Sequence, residues 1–209
     1  MPLRRFANRE RSGAYLVRML FLGANVGFFF FSTLLMQGVL GYSPAQTGLV
    51  FLPAMIVNFL AALAAPHVIS RFGARSVMLV SMLLGLLGMA CLTQVSADTR
   101  YFTGLALPML LIGIGQGGTL GPLTAAGIAQ VAPKDAGAAS GLVNAAHQLG
   151  GTLGLRVQVA VSVLEAGALT GKALLAYRVG NAMQCAAAML VIALVIAATT
   201  AGKRQGTSA

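Results

Sequence analysis

Five stretches of this chain contain no Asp, Glu, Lys or Arg: residues 19–70, 76–97, 101–133, 136–155 and 179–202. The shortest of them is 20 residues long. A helix needs about 20 apolar residues to cross the roughly 30 Å hydrocarbon core of a bilayer. An ionised side chain inside that core costs several kcal/mol, so charges are kept out of it. Such long charge-free runs imply an integral membrane protein, and the charges between them mark where the chain leaves the lipid.

Composition agrees with this reading. Of 209 residues, 57% are hydrophobic and 9% charged, against about 25% charged in a soluble domain. A soluble fold of this length could not hide so much apolar surface. The net charge of +10 does not point to nucleic acid, because the basic residues are spread between apolar spans rather than gathered on a polar domain. They read instead as topology signals. Cys91 and Cys185 both fall inside apolar spans without metal-ligand spacing, which suits small packing residues. No metal, cofactor or catalytic group is expected. The basic start Met1-Pro2-Leu3-Arg4-Arg5 is not that of a signal peptide, because the apolar run from Leu16 to Leu40 is too long and lacks a small-residue cleavage site.

The longest run exceeds one crossing, and Gly41-Tyr42-Ser43-Pro44 divides it with turn chemistry. The expected fold is an all-α membrane protein with six transmembrane helices at about 16–40, 47–69, 76–97, 101–131, 136–163 and 173–200. Residues 1–15 form a basic lead-in and 201–209 a tail. Pro108 and Pro122 are tolerable inside a membrane helix. Arg4, Arg5, Arg9, Arg11, Arg18, Arg71, Arg75, Lys134, Lys203 and Arg204 fall on the side of both termini, with two acids there, Glu10 and Asp135. The opposite loops balance Asp98 with Arg100, and Glu165 with Lys172 and Arg178. This asymmetry places both termini in the cytoplasm. Tyr15, Tyr42, Tyr101 and Tyr177 are all the tyrosines, and each falls at an expected helix end, where amphipathic rings settle.

The fifth helix is the most distinctive segment. At 100° per residue, Ser140, Asn144, His147, Gln148 and Gly151 share one stripe. A polar stripe should face a helix bundle or an aqueous cavity rather than lipid. Helix packing alone, or packing combined with a transport path, would satisfy it. His147 sits about eleven residues into this helix, near the midplane. A hydrogen-bonded core role suits it, and proton exchange is the alternative. Gln116 and Asn58 lie deep and could line a cavity, as could Asn25; single amides more often bond across helices. All four acids, Glu10, Asp98, Asp135 and Glu165, lie at loops or helix ends. Arg156, about 20 residues into the fifth helix, should snorkel to the outer surface.

The run Asp135-Ala136-Gly137-Ala138-Ala139-Ser140-Gly141-Leu142-Val143-Asn144, continued by Gln148-Leu149-Gly150-Gly151, resembles the penultimate helix of major facilitator transporters. The nearest group is the fourteen-helix drug:proton antiporters. Leu3-Arg4-Arg5-Phe6 resembles the lead-in to that family's C-terminal six helices, and Leu40 to Gly48 the outer turn after the first of them. Gly113, Gly115, Gly117, Gly121 and Pro122 resemble its glycine-rich fourth helix. Of the superfamily's cytoplasmic loop motif, Arg71, Gly73 and Arg75 match, while Pro66, Ser70 and Ala74 stand where a Gly, the Asp and an Arg would be. Without the Asp, Arg71 and Arg75 are left to anchor the loop to anionic lipid. Gly141, Gly150 and Gly154 follow the antiporter motif's glycine spacing, but Leu155 replaces its proline. With Gly113, Gly117 and Gly121, these glycines are expected to let helices pack closely.

The resemblance implies one six-helix bundle, half of a transporter in the cell (inner) membrane. The complete protein would export drugs or small amphipathic molecules, with proton antiport possible. Alternating access needs two bundles around a midplane site. The expected partners are therefore the lipid bilayer, a small-molecule substrate, and either the missing N-terminal bundle or a second copy. Met1 falls where an interdomain linker would end, which favours a truncated product. A non-transporting remnant or membrane scaffold is the alternative. An intramembrane serine protease using Ser140 is a remote one, since a Ser nucleophile needs a His within hydrogen-bond reach.

Overall fold

The computed structural model describes residues 9–128, 131, 135–164 and 169–200. Arg4, Arg5, Lys134, Glu165, Lys203 and Arg204 lie outside the described residues. Six long helices follow one another: α1 Arg9–Gly38, α2 Pro44–Phe72, α3 Ala74–Leu92, α4 Ala106–Ile128, α5 Ala136–Ser162 and α6 Gly171–Thr200. A single π-helical turn, Tyr101–Leu105, leads into α4. No strand occurs among the described residues.

Local chemistry explains the connections. Gly41, at φ 74°, turns the chain out of α1, a backbone region that favours glycine. Ser43 then caps α2 reciprocally: its hydroxyl accepts from the Gln46 amide at 3.2 Å, and the Gln46 side chain accepts from the Ser43 amide at 2.8 Å. Pro44 follows at the first helical position. Between α2 and α3 there is only Gly73, at φ 81° and ψ 148°, a conformation essentially reserved for glycine. The loop-motif glycine is thus a one-residue corner between two long helices.

α1 packs along α5 and α6, and α4 packs along α2 and α3; α3 also reaches α6. Phe21, Phe28, Leu35 and Met36 of α1 are buried with Met82 and Met89 of α3, Met109 and Ile112 of α4, and Met183 and Leu190 of α6. α2 stands at the margin, exposing Leu49, Leu52, Ile56, Phe59, Leu60 and Leu63. α5 exposes Leu149, Leu153 and Val157.

Several expectations change. α1 starts at Arg9 rather than near 16, because basic residues propagate a helix well beyond the lipid edge. Tyr15 is therefore not at a helix end. It is buried, and its hydroxyl donates to the Gly127 carbonyl at 3.1 Å. α3 stops at Leu92 instead of 97: the Thr93 hydroxyl bonds the Ala90 carbonyl at 2.8 Å, a local competitor to the helical ladder. Cys91 is exposed rather than a core residue, and Cys185 is half-buried. Among the described residues, five helices are long and apolar enough to cross a membrane by length and composition, and α5 is not one of them. Its 27 residues would span about 40 Å. The polar positions Ser140, Asn144, His147, Gln148, Thr152, Arg156 and Gln158 lower its hydropathy.

Candidate functional site

The deep amides of the sequence meet. Asn58 on α2 donates from Nδ2 to Gln116 Oε1 on α4 at 2.9 Å. Gln116 donates from Nε2 to Asn25 Oδ1 on α1 at 2.6 Å. Asn25 closes the series by donating to its own helix at the Phe21 carbonyl, 2.7 Å away. Asn25 and Gln116 are buried. One chain of three amides therefore joins three helices, each link converting a costly polar group in lipid into an interhelical bond.

Beside it lies a second polar cluster. Arg18 on α1 is 8% exposed. Its Nη1 donates to the Thr124 hydroxyl of α4 at 2.8 Å, and its Nη2 lies 3.3 Å from His147 Nδ1 on α5. A guanidinium can only donate, so Nδ1 accepts and the ring proton of a neutral His147 sits on Nε2. The Nε of Arg18 is buried without a hydrogen-bond partner. His147 also lines a cavity of about 310 Å³ together with Gln148, Gly151, Thr152 and Arg156. Ser140, Asn144 and Gln148, the rest of the stripe, are exposed, whereas Gly151 is buried against Val26. Ser140 shares no hydrogen bond with His147 among the described residues, whose Nδ1 is occupied by Arg18.

The glycines divide. A Cβ at Gly113 or Gly117 would strike the backbone of α2 at Ala54 and Asn58. A Cβ at Gly150 or Gly154 would strike α1 at Met19 and Gly23. These four sit where two helix backbones meet. Gly121 and Gly141 meet no neighbour within 4 Å of a Cβ, so within this bundle they are not packing positions. In the loop motif, Arg75 donates from Nη2 to the Ala198 carbonyl at 2.6 Å, reaching the last turn of α6, where a cation suits the helix dipole. Arg75 is thereby engaged by protein, while Arg71 is exposed. Arg156 is exposed on the cavity wall.

Two contributors were not singled out from the sequence. Gln158 is fully buried on α5 and donates from Nε2 to the Gly23 carbonyl at 2.7 Å, with its side chain filling the space over Gly27. The signal was present: Gly23 and Gly27 have the small-xxx-small spacing of close-packed membrane helices, as do Gly150 and Gly154. From the sequence alone, Arg18 is only a topology charge at the edge of the lipid.

Comparison with known proteins places this arrangement. The chain is 38% identical over 159 residues to the puromycin resistance protein pur8 of Streptomyces alboniger, covering 75% of this chain and 32% of that protein. It is 40% identical over 181 residues to the cephamycin export protein CmcT of Amycolatopsis lactamdurans, covering 85% of this chain and 37% of that protein. The chain thus spans about a third of the length of these curated relatives. Its fold is similar to that of the nucleoside transporter NupG, with a TM-score of 0.73 at 19% identity, over 94% of this chain and 49% of the solved one. The sequence pattern of the Major Facilitator Superfamily matches residues 2–155. The six-helix bundle is a multi-pass membrane unit, and the chain belongs to the Major Facilitator Superfamily.

Proposed function

We propose that this bundle is the C-terminal half of an exporter of antibiotics or similar small amphipathic molecules, related to the fourteen-helix drug:proton antiporters. The observation that carries the reading is the likeness, over three quarters or more of the chain, to proteins named for puromycin resistance and cephamycin export. The open face fits it. α5 presents the exposed stripe Ser140, Asn144 and Gln148 and the cavity that His147 borders, while Asn25, Gln116 and Arg18 are buried within the bundle. One bundle makes one wall of an alternating-access path. The apolar rows of α2 and α5 flank that wall and suit docking of an N-terminal bundle or a second copy.

Both termini face the cytoplasm of the inner membrane in this reading, following the basic excess on that side. Proton coupling draws its carboxylates from the other bundle, since the acids among the described residues, Glu10, Asp98 and Asp135, lie at loops or helix ends. Energised everted vesicles from the native host and from a strain lacking this gene test the proposal, with a fluorescent amphipathic drug as probe. Uptake should fall in the deletion strain, return on complementation and collapse when the proton gradient is dissipated. Equal uptake with and without the gene rules out the export role; uptake that survives loss of the gradient rules out antiport alone.

A further inference from the structure

We infer that Arg18, held by Thr124 and loosely covered by His147, is a receptor for a carboxylate. Arg18 is nine-tenths buried in a helix read as crossing lipid, and among the described residues no carboxylate pairs with it. Buried charges in membranes are normally paired or functional. The guanidinium is only half used. Nη1 is fixed by Thr124 Oγ1 at 2.8 Å. The opposite edge carries Nε–H and Nη2–H side by side, the parallel pair that grips a carboxylate bidentately. On that edge Nε has no partner, and Nη2 has only the 3.3 Å approach of His147 Nδ1. One imidazole nitrogen can serve only one of the two donors. A carboxylate serves both and brings the missing charge.

The surroundings permit the exchange. His147 borders the cavity of about 310 Å³, so its ring has room to swing off the guanidinium. Arg156 stands on the wall of the same cavity, and no acid lines it. Arg18 and Arg156 are the permanent cations around His147, and a site built on them does not depend on export. The carboxylate is either that of a diffusible small anion or a side chain of another polypeptide docked on this face.

The test is the thermal stability of the full chain with benzoate, using methyl benzoate as the uncharged control. It is run on detergent-purified protein and on native membranes. Benzoate, and not its ester, should raise the melting temperature of the purified chain. Arg18→Gln should weaken the apparent affinity about 10-fold or more, and Arg18→Lys, which cannot grip bidentately, should weaken it by less. His147→Ala should retain or tighten binding, because it removes the group that covers the edge. A benzoate shift in both preparations marks a diffusible anion as the ligand. A shift in the purified chain that is lost in native membranes marks a site already filled there by another polypeptide's carboxylate. No benzoate-specific shift in the purified chain, an equal shift in Arg18→Gln, or loss of the shift in His147→Ala overturns the inference; if Arg18→Gln does not fold, Arg18→Lys and His147→Ala decide it. Because the readout is binding, a chain that binds benzoate without exporting drug separates this inference from the transport reading.

Discussion

At the scale of single residues, glycines and amides set the geometry of the bundle. Gly154 faces Gly23 and Gly150 faces Met19 so closely that no Cβ fits between the backbones of α5 and α1. Gly154→Ala and Gly150→Ala should each destabilise the bundle by about 1–3 kcal/mol through forced helix separation. Gly141→Ala and Gly121→Ala, where a Cβ meets open space, should stay within about 0.5 kcal/mol. Thermal unfolding in a fixed detergent compares the four; equal losses across all of them would contradict the assigned contacts. The amide chain makes a second prediction. Asn58 and Gln116 share a 2.9 Å hydrogen bond, so a double-mutant cycle of Asn58→Leu with Gln116→Leu should give a coupling of about 0.6 kcal/mol, the usual worth of an interhelical bond in a membrane protein. Additive losses would mean that the two amides do not meet. The sequence placed Asn58 and Gln116 deep and favoured bonds across helices, but it did not show that these amides join one another. Asn25, Asn58 and Gln116 lie on three helices, and their meeting depends on helix rotations that local pattern does not encode.

At the scale of elements, the charge-free runs located six helices because lipid excludes ions whatever the packing. The ends were less legible, for a physical reason. Charges mark the edge of the bilayer, while a helix ends where its backbone finds another partner. α1 therefore extends outward to Arg9 through residues that favour helix. α3 halts at Leu92 although no charge occurs until Asp98, because Thr93 turns its hydroxyl onto Ala90. The loop motif was legible in part. Gly73 shows its purpose in the positive φ of the α2–α3 corner, but the reach of Arg75 to α6 crosses 123 positions of sequence and no local pattern announces it. Arg75→Gln should free the last turn of α6. Amide hydrogen exchange near Ala198 should rise several-fold, with a stability loss of about 0.3–1 kcal/mol, as for a cation at a helix C-terminus. Unchanged exchange there would show that the contact carries no energy.

At the scale of the whole molecule, the bundle is asymmetric. α1, α3, α4 and α6 hold most of the buried core, while α2 and α5 present apolar rows and α5 adds a polar stripe outside that core. The stripe's periodicity was readable from Ser140, Asn144, His147 and Gln148 alone, because a helix must carry such spacing on one face. The direction of that face was not readable, since it follows from how α5 is clamped on α1 by Gly150, Gly154 and Gln158. The central claim is that this open face lines an aqueous path through the membrane. Single cysteines at Asn144 and Gln148, in a chain with Cys91 and Cys185 replaced, test it most directly in native membranes with a membrane-impermeant thiol reagent. Ile192, exposed on α6, serves as the lipid-facing control. The account predicts labelling at 144 and 148 that is slowed by a transported drug, and none at 192; positions 144 and 148 as inert as 192 would contradict it.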